Sequence, residues 1–566
     1  MSQSNDCAPG WPGIQPRWTS SAKTGVGTAL TQQSRLWFTI SHGVLNEIYY
    51  PRIDQACTRD MGLIVTNGHD FLSEEKRHTA SKINCLAKGV PAFRLVNTCK
   101  QGRYRIEKEV LADPSRPVLL QRTRFSALMG AQEGYHLYLL LAPHLGDHGY
   151  GNTAWLHDHK GVLMLFAERA GSALALACSF PWLKRSVGFV GVSDGWQDLS
   201  AHKQMTWVYT RAENGNVALT GEVDLRASNG EFVLVLGFGS GPEEAGNRVL
   251  ASLRDGFDTA RADYLEQWQA WQKSLLPRQD DARDGKQNFY RLSTAVIRTH
   301  EATKFPGGII ASLSIPWGFI KGDQDLGGYH LVWPRDLVEG AGGLLAAGAH
   351  EDVRRVLSYL ESTQREDGHW PQSMWLDGSP YWDGIQLDET ALPILLVDLV
   401  RREKGLTDAD VARFWPMVRK AASFLVRNGP VTQQDRWEED AGYSPFTLAA
   451  EIAGLLAAAD LSELNQEPSL AAYLRQTADA LNDSIERWIY VQNTVWTQQF
   501  GVEGYYVRIA PPEIAEEASP AQGEVPIKNR PPGQSRDRAD HIISPDALAL
   551  VRFGLRAATD QRIVNT

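Results

Sequence analysis

Three consecutive carboxylates form the group in this chain most suited to acid–base chemistry. Glu438, Glu439 and Asp440 directly follow Trp437. Like charges this close raise at least one pKa, and a carboxylic acid that stays protonated near neutral pH can donate its proton to a leaving group. The neighbouring indole offers a flat apolar face of the kind on which sugar rings stack. Considered alone, the cluster is more simply a solvated acidic loop.

A second candidate site is the adjacent pair Arg335 and Asp336, at the start of a predicted helix. A guanidinium donates hydrogen bonds and a carboxylate accepts them, so the pair could hold vicinal hydroxyls of a sugar ring. The alternative is that Asp336 only caps the helix and that Arg335 is solvated.

A third candidate lies between Gly368 and Glu389, where large aromatic side chains stand among glycine, amide and carboxylate residues. Stacking faces beside short polar groups are what recognition of a polyol ring requires, so we favour a binding function for this loop. The surrounding region is rich in tryptophan, and although each indole alone is more simply structural, the set indicates a sugar-binding cleft. Its members are Trp317, Trp333, Trp370, Trp375, Trp382, Trp415 and Trp437.

The elements that must position these loops change in character near residue 245. Before it, short β-rich runs recur between turn signals, a pattern that predicts an antiparallel β-sandwich. The clearest runs are Tyr104–Leu111, Val118–Phe125, His136–Ala142, Val162–Ala167 and Glu231–Phe238. A helical periodicity follows over 247–276, and then a polar stretch over 277–287. We therefore predict a sandwich domain at 1–244, a helical linker at 245–287 and a helical domain at 288–566.

The helical domain is predicted to contain eight helices. They span 288–303, 336–348, 350–366, 387–405, 407–428, 444–463, 467–490 and 544–557. Motif-bearing loops alternate with short connections, as expected of helix hairpins wound into a toroid; a helical solenoid is the alternative.

Composition narrows the functional class. A net charge of −10 over 566 residues argues against a nucleic-acid partner. No uninterrupted apolar run of about 18 residues is present, so no membrane span is expected. Five scattered cysteines and an N-terminus without a signal pattern predict reduced thiols and a cytoplasmic location. No motif implies a cofactor or a metal ion; His157-Asp158-His159 is more simply a solvated hairpin.

Taken together, the motifs resemble those of glucoamylase and glucodextranase enzymes of glycoside hydrolase family 15, in their prokaryotic form. Tyr329, Trp333, Arg335 and Asp336 match one family motif, and Trp437-Glu438-Glu439 matches another. The resemblance spans essentially the whole chain, and it implies an N-terminal β-sandwich joined by a helical linker to an (α/α)6 toroid.

The resemblance also implies roles for individual residues. Glu438 would be the general acid that protonates the glycosidic oxygen, and Glu439 would contact the sugar at the neighbouring subsite. Because the two glutamates are adjacent, they cannot both face one bond in the same way. Further side chains are implied to bind substrate: Tyr329, Trp333, Arg335, Asp336, Trp382, Gln386, Asp388 and Trp437.

The expected function is that of an exo-acting inverting α-glucosidase that releases glucose from the non-reducing end of an α-glucan or gluco-oligosaccharide. The motifs do not choose among α-1,4, α-1,6 and trehalose linkages. Eight predicted helices fall short of the twelve of a toroid, and no residue matches the family's base motif, so we expect an incomplete barrel and weak hydrolysis. A catalytically inactive sugar-binding homologue and a related glycoside phosphorylase are the alternatives.

Overall fold

The computed structural model describes residues 6–277, 289–314, 322–324, 328–515, 520 and 523–566. The chain forms two compact units. The first comprises Met1–Lys304 with Ile310–His330, and the second comprises Phe305–Ile309 with Leu331–Thr566.

The first unit is built from antiparallel strands. In chain order they are β1 (Gly25–Thr28), β2 (Trp37–Ser41), β3 (Val44–Tyr49), β4 (Thr58–Thr66), β5 (Leu72–Glu74), β6 (Thr79–Cys85), β7 (Phe93–Cys99), β8 (Tyr104–Ala112), β9 (Val118–Ala127), β10 (His136–Pro143), β11 (Asn152–His159), β12 (Val162–Arg169), β13 (Ser172–Cys178), β14 (Trp182–Phe189), β15 (Arg211–Gly215), β16 (Val217–Val223) and β17 (Glu231–Gly239). All five strand runs predicted from the sequence are present.

The described strands form two sheets. The smaller sheet has the order β1-β2-β3-β4-β10-β16-β14, with β5 paired to β4, and the larger has the order β15-β11-β12-β13-β17-β9-β8-β7-β6. Alternate side chains of both sheets point into a shared apolar core, for example Leu63 and Leu139 from the smaller and Leu119 and Leu236 from the larger. The predicted β-sandwich is therefore confirmed.

Helices complete the first unit: α1 (Glu75–His78), α2 (Gly195–His202), α3 (Pro242–Asp255), α4 (Phe257–Ser274) and α5 (Phe289–Thr299). Gly256, with φ 85°, separates α3 from α4. Helix α4 is tied to the sandwich, because Tyr264 Oη and Trp268 Nε1 both donate to the Thr28 carbonyl, at 2.7 and 2.9 Å. The predicted helical stretch over 247–276 is thus present, and the predicted domain boundaries at 244 and 287 stay predictions.

The second unit is mainly helical. Its helices are α6 (Pro334–Ala346), α7 (His350–Thr363), α8 (Leu387–Arg402), α9 (Asp408–Asn428), α10 (Pro445–Leu464), α11 (Pro468–Ile489), α12 (Val495–Phe500), α13 (Pro512–Ala515), α14 (Leu548–Arg552) and α15 (Gln561–Val564). Three short hairpins accompany them: β18 (Ser373–Met374) with β19 (Pro380–Trp382), β20 (Tyr490–Gln492) with β21 (Gly504–Tyr506), and β22 (Glu524–Pro526) with β23 (Arg536–Arg538).

Inner and outer helices alternate along the chain. Helices α8 and α10 are buried on nearly all sides and pack against each other, and α8 also packs against α6. Helices α7, α9 and α11 each bury one face. Long loops at 364–386 and 429–444 lead into the inner helices, whereas three-to-five-residue connections leave them. This is the predicted toroid pattern, and it gathers the motif-bearing loops at the N-terminal ends of the inner helices.

One predicted helix needs correction. The helix predicted at 544–557 is only a 3₁₀ turn at Pro545–Ala547 followed by α14, because the chain turns at Gly554, where φ is 79°. Helix α10 is long and apolar enough, by composition alone, to cross a membrane, although Glu451 and Asp460 interrupt its apolar run. Most of it, 83%, is buried inside the protein, as in the core helix of a globular domain.

Candidate active site

The predicted acid and the start of α6 are joined by a hydrogen bond. Trp333 precedes the first residue of α6, and its Nε1 donates to Glu438 Oε1 at 2.9 Å. Trp333 is almost fully buried, whereas Glu438 is only partly buried. Because the indole holds Oε1 as an acceptor, the second carboxyl oxygen is the one free to carry a proton.

The backbone at Glu438 is strained in a way that directs its side chain. Its φ of 61° lies in the left-handed region, which residues other than glycine seldom adopt. The Glu438 N–H donates to the Asp435 carbonyl at 2.9 Å, and Lys528 Nζ donates to the Glu438 carbonyl. Asp435 Oδ1 also accepts the Glu439 N–H at 3.0 Å. A tight turn that begins at Asp435 therefore maintains the left-handed backbone conformation of Glu438.

The other carboxylates of the acidic run bind a buried arginine. Arg508 donates to Asp435 at 3.1 Å, to Glu439 at 2.6 Å and to Asp440. Burial raises the pKa values of Asp435 and Asp440 against the lowering effect of this guanidinium. The expectation that at least one pKa of the run is raised holds for Asp440, chiefly through burial. The side chains of the two adjacent glutamates therefore point to different partners. Glu439 is paired with Arg508, whereas Glu438 is hydrogen-bonded to Trp333.

Arg335 is held from one side by residues at the start of α8. Its Nε donates to Asp388 at 2.8 Å, and its Nη2 donates to Gln386 and lies 3.4 Å from Glu389 Oε1. Among the described residues, Nη1 has no hydrogen-bond partner, so it can bind a ligand. The alternative of a solvated Arg335 is wrong, because only 13% of its side chain is exposed to solvent.

The carboxylates around Arg335 differ in environment. Burial raises the pKa of Glu389 well above its ordinary value; the Arg335 guanidinium lowers it by less, and repulsion from Asp388 raises it further. Glu389 is therefore expected to be a neutral acid beneath the site. Asp336 is exposed, but loss of hydration by its carboxylate raises its pKa, and the charge of Glu438 contributes. Asp336 is not a helix cap: Trp333 holds that position, without a side-chain capping bond.

Trp437 directly precedes Glu438 in the sequence, and its indole ring is exposed. Its Nε1 donates to Asp546 Oδ2 at 2.9 Å, and the Arg436 guanidinium lies 4.7 Å from the ring centre. Asp546 is buried and also pairs with Arg436 at 2.5 Å. The indole edge is fixed while 52% of the residue is exposed, an arrangement that suits stacking against a sugar ring.

The remaining predicted residues lie apart from these contacts. Trp382 is 49% exposed and packs edge-on against Tyr381, with ring centres 5.1 Å apart. Tyr329 belongs to the first unit and is 46% exposed. Their roles in substrate binding stay predictions. Of the seven tryptophans, Trp370 and Trp415 are buried in the helical unit, and Trp317 lies outside the described residues.

Sequence reasoning missed three side chains that position the acidic run: Arg508, Lys528 and Asp546. They come from the region after α11, which has short elements and no clear periodicity. One signal was available, since three consecutive carboxylates favour a nearby cation, but nothing in the sequence selects Arg508 among the arginines. Asp546 falls in the first turn of the helix predicted over 544–557, where a carboxylate is expected for the helix start alone.

Chemically, the arrangement combines a carboxylic acid held by one oxygen, a guanidinium with a free nitrogen and an exposed indole. All lie at, or in the loops that lead to, the N-terminal ends of inner helices. Such a set can bind a polyol ring and deliver a proton to an oxygen of a bound ligand.

Comparison with known proteins agrees with this chemistry. The family "Glucodextranase, domain N" matches residues 8–273, and "Glycosyl hydrolases family 15" matches residues 364–560. A glucoamylase of Clostridium sp. (strain G0005) is 37% identical over 561 residues, covering 98% of this chain and 76% of the relative. An uncharacterized glycosyl hydrolase of Methanocaldococcus jannaschii is 27% identical over 189 residues, covering 33% of this chain and 29% of the relative.

A solved structure gives the same result for the fold. The crystal structure of a bacterial glucoamylase complexed with acarbose has a TM-score of 0.91 and 36% identity, covering 99% of this chain and 79% of that chain. The likeness extends over both the sandwich and the (α/α)6-type helical unit. The chain therefore belongs to glycosyl hydrolase family 15.

Proposed function

We propose that this protein is an exo-acting, inverting α-glucosidase of the glucoamylase type, with Glu438 as its general acid. The observation that carries the proposal is the 2.9 Å hydrogen bond from Trp333 to Glu438, because it brings the acid next to the helix start that bears Arg335 and Asp336. The substrate is an α-linked gluco-oligosaccharide or glucan, with the linkage left open.

In the proposed reaction, Glu438 gives its proton to the glycosidic oxygen as the bond from that oxygen to the anomeric carbon breaks. A water oxygen bonds to the anomeric carbon and its proton passes to a carboxylate base, so that glucose and a shortened glycan are released. We leave the role of base unassigned. Arg335 Nη1 and the Asp336 carboxylate hold sugar hydroxyls, and Trp437 contributes a stacking face.

The test is Glu438→Gln, assayed on two substrates that differ only in leaving group. Maltose needs its departing oxygen protonated, whereas dinitrophenyl α-glucoside does not, because dinitrophenolate is stable as an anion. We expect kcat on maltose to fall about 10²- to 10⁴-fold and kcat on the dinitrophenyl substrate to change much less. Acarbose, the ligand of the similar glucoamylase structure, should bind the variant about as tightly as the parent in calorimetry.

Glu439→Gln is the matched control, because it changes the adjacent carboxyl, which pairs with Arg508. Its losses should not depend on the leaving group. Equal maltose turnover by the parent and Glu438→Gln would disprove the acid assignment. Acarbose binding by a parent that releases no glucose would favour the sugar-binding alternative, and glucose 1-phosphate formed from glucan and phosphate would favour a phosphorylase.

A further inference from the structure

The outer face of the smaller sheet carries a cleft of about 310 Å³. Along β4, Leu63 points into the sandwich core, whereas its neighbours Gly62 and Ile64 line the cleft. Helix α2 forms one wall, through Trp196 and Gln197. The volume lies at the lower end of the ~300–1,000 Å³ typical of small-ligand sites, which suits about one or two sugar rings.

The floor of the cleft is apolar. Val44, Leu140 and Ala218 come from three strands of the sheet, and the Trp196 indole lies beside them. Gly62 pairs with Leu140 across the ladder and leaves the floor without a side chain at that point. An apolar floor next to an indole can accommodate the C–H face of a pyranose ring.

Polar groups at the cleft lack protein partners. The Nε atoms of Trp196 and Arg59 are both buried, and neither has a hydrogen-bond partner among the described residues. Both atoms are shielded from solvent, so these side chains must rotate into the cleft before an oxygen acceptor of a ligand can satisfy the donors. Asp60 accepts from Asn46 at 2.7 Å and from Lys76 at 2.8 Å, and its carboxylate retains lone pairs for a ligand hydroxyl. The cleft therefore offers both donors and acceptors, as a hydroxyl-bearing ring requires.

The charges around the cleft favour a neutral ligand. Three basic and three acidic side chains line it: Arg59, Lys76, Arg77, Asp60, Glu74 and Asp194. Most are already paired, Lys76 with Asp60 at 2.8 Å and Arg77 with Glu74 at 3.4 Å, and Asp194 accepts backbone N–H groups of α2. The three charges of each sign balance, so the cleft has no net charge to attract an ion, whereas a polyol needs only hydrogen-bond partners.

We propose that this cleft is a second carbohydrate-binding site, which takes the end of a neutral gluco-oligosaccharide. The choice of glucose units rests on the proposed function. The cleft lies in the first unit, whereas the acid lies in the second, so the two sites can be emptied by separate substitutions.

The test counts maltotriose molecules bound per chain by equilibrium dialysis, in the Glu438→Gln background to prevent turnover. Gly62→Val should fill the cleft, because a Cβ there meets only Val44, at 3.4 Å, and the backbone conformation suits a side chain. We expect about two bound molecules to fall to about one. Gly134→Val is the matched control, since an added side chain there meets nothing within 4 Å, and it should keep both.

A second variant guards against misfolding of the first. Trp196→Phe keeps an aromatic ring and removes the N–H donor, so the weaker class of sites should lose affinity several-fold while circular dichroism stays unchanged. Unchanged stoichiometry in Gly62→Val together with unchanged affinity in Trp196→Phe overturns the inference. So does displacement of maltotriose from the cleft by inorganic phosphate.

The two proposals fail differently in this experiment. If the active-site assignment is wrong but the cleft binds sugar, the Glu438→Gln protein binds one maltotriose molecule, and the same protein with Gly62→Val binds none. If the cleft does not bind sugar, Gly62→Val matches its background, whatever the count.

Discussion

At the scale of single residues, Glu438 and Glu439 are adjacent, yet different side chains hold their carboxylates. The left-handed backbone at Glu438 turns its side chain toward the Trp333 indole, whereas Glu439 contributes to the ion-pair cluster around Arg508. A carboxyl that must alternate between protonated and ionised forms gains from an N–H donor on one oxygen only, since the other stays free to exchange its proton. We infer that Trp333 is a positioning residue for the acid.

Trp333→Phe should show this through the kinetics. Loss of the indole N–H removes one hydrogen bond to a charged group, worth about 1.5–3 kcal/mol, so kcat on maltose should fall about 10- to 100-fold. The loss should be much smaller on dinitrophenyl α-glucoside, which needs no proton, and KM should change little. A purely structural role would lower both rates equally.

Trp415→Phe provides a matched control for this substitution. Trp415 Nε1 also donates to a carboxylate at 2.9 Å, that of Glu467, and neither residue is among those implied to bind substrate. Its removal should leave the ratio of the two rates unchanged. The positioning role is refuted if Trp333→Phe and Trp415→Phe give the same ratio.

Much of the site was predictable because its residue types are rare in combination. Trp437-Glu438-Glu439 and Arg335-Asp336 stand out in the sequence, and the structure links each pair to the inner helix ends. What holds them was not predictable: Arg508 lies 69 residues beyond Glu439, and only the packed fold brings them together. The neutral-acid environment of Glu389 also depends on burial, which the local sequence does not specify.

At the scale of elements, the inner helices α8 and α10 combine apolar surfaces with buried carboxyl groups. Periodicity located both helices within a few residues, because long helices repeat their pattern many times. Ends were less predictable: the helix predicted at 387–405 begins at Leu387 as expected, but it ends at Arg402. The short hairpins β18–β23 were missed, since two- or three-residue strands carry no measurable alternation.

Glu451 on α10 predicts a specific dependence of stability on pH. Burial raises its pKa well above the ordinary value of 4.5, and the charge of Asp388 adds to this. Between those two pKa values the folded protein retains a proton that the unfolded chain has lost. Stability from this group is therefore complete below pH 4.5 and is lost as pH rises toward the folded pKa.

Glu451→Gln should remove this slope. The free energy of unfolding of the parent, from urea titrations at several pH values above the ordinary pKa, should fall more steeply with pH than that of the variant, by about 1 kcal/mol per pH unit. Glu463→Gln on the same helix is the control, since that carboxyl is exposed and its bond to Arg475 lowers its pKa. Parallel curves for the parent and Glu451→Gln would show that the buried carboxyl is ionised.

At the scale of the whole molecule, the two units differ in their cysteine content. All five cysteines, Cys7, Cys57, Cys85, Cys99 and Cys178, lie in the first unit and are free, whereas the second unit has none. The sequence expectation of unpaired thiols therefore agrees with the structure. Thiol exposure consequently reports on opening of the sandwich alone.

The final prediction uses this asymmetry. In the native protein a chromogenic disulfide reagent should react rapidly with the exposed Cys7 and more slowly with the partly buried Cys85. Cys57, Cys99 and Cys178 are buried, and burial raises the pKa of Cys57 and of Cys178 to about 12, so thiolate is scarce at both near neutral pH. These three thiols should react only when the sandwich unfolds.

Cys7→Ser should abolish the rapid phase, and persistence of that phase would show that the sandwich is open in solution.

Because the helical unit lacks thiols, the urea midpoint of labelling can be compared with the midpoint from far-ultraviolet circular dichroism, which the helices of the second unit dominate. Tyr264 and Trp268 of α4 are hydrogen-bonded to the sandwich. We therefore expect the three buried thiols of the sandwich to stay inaccessible to the reagent until α4 detaches. Coincident labelling of Cys57, Cys99 and Cys178 would then mark the sandwich as one cooperative unit, whereas stepwise labelling would mean that its sheets open independently.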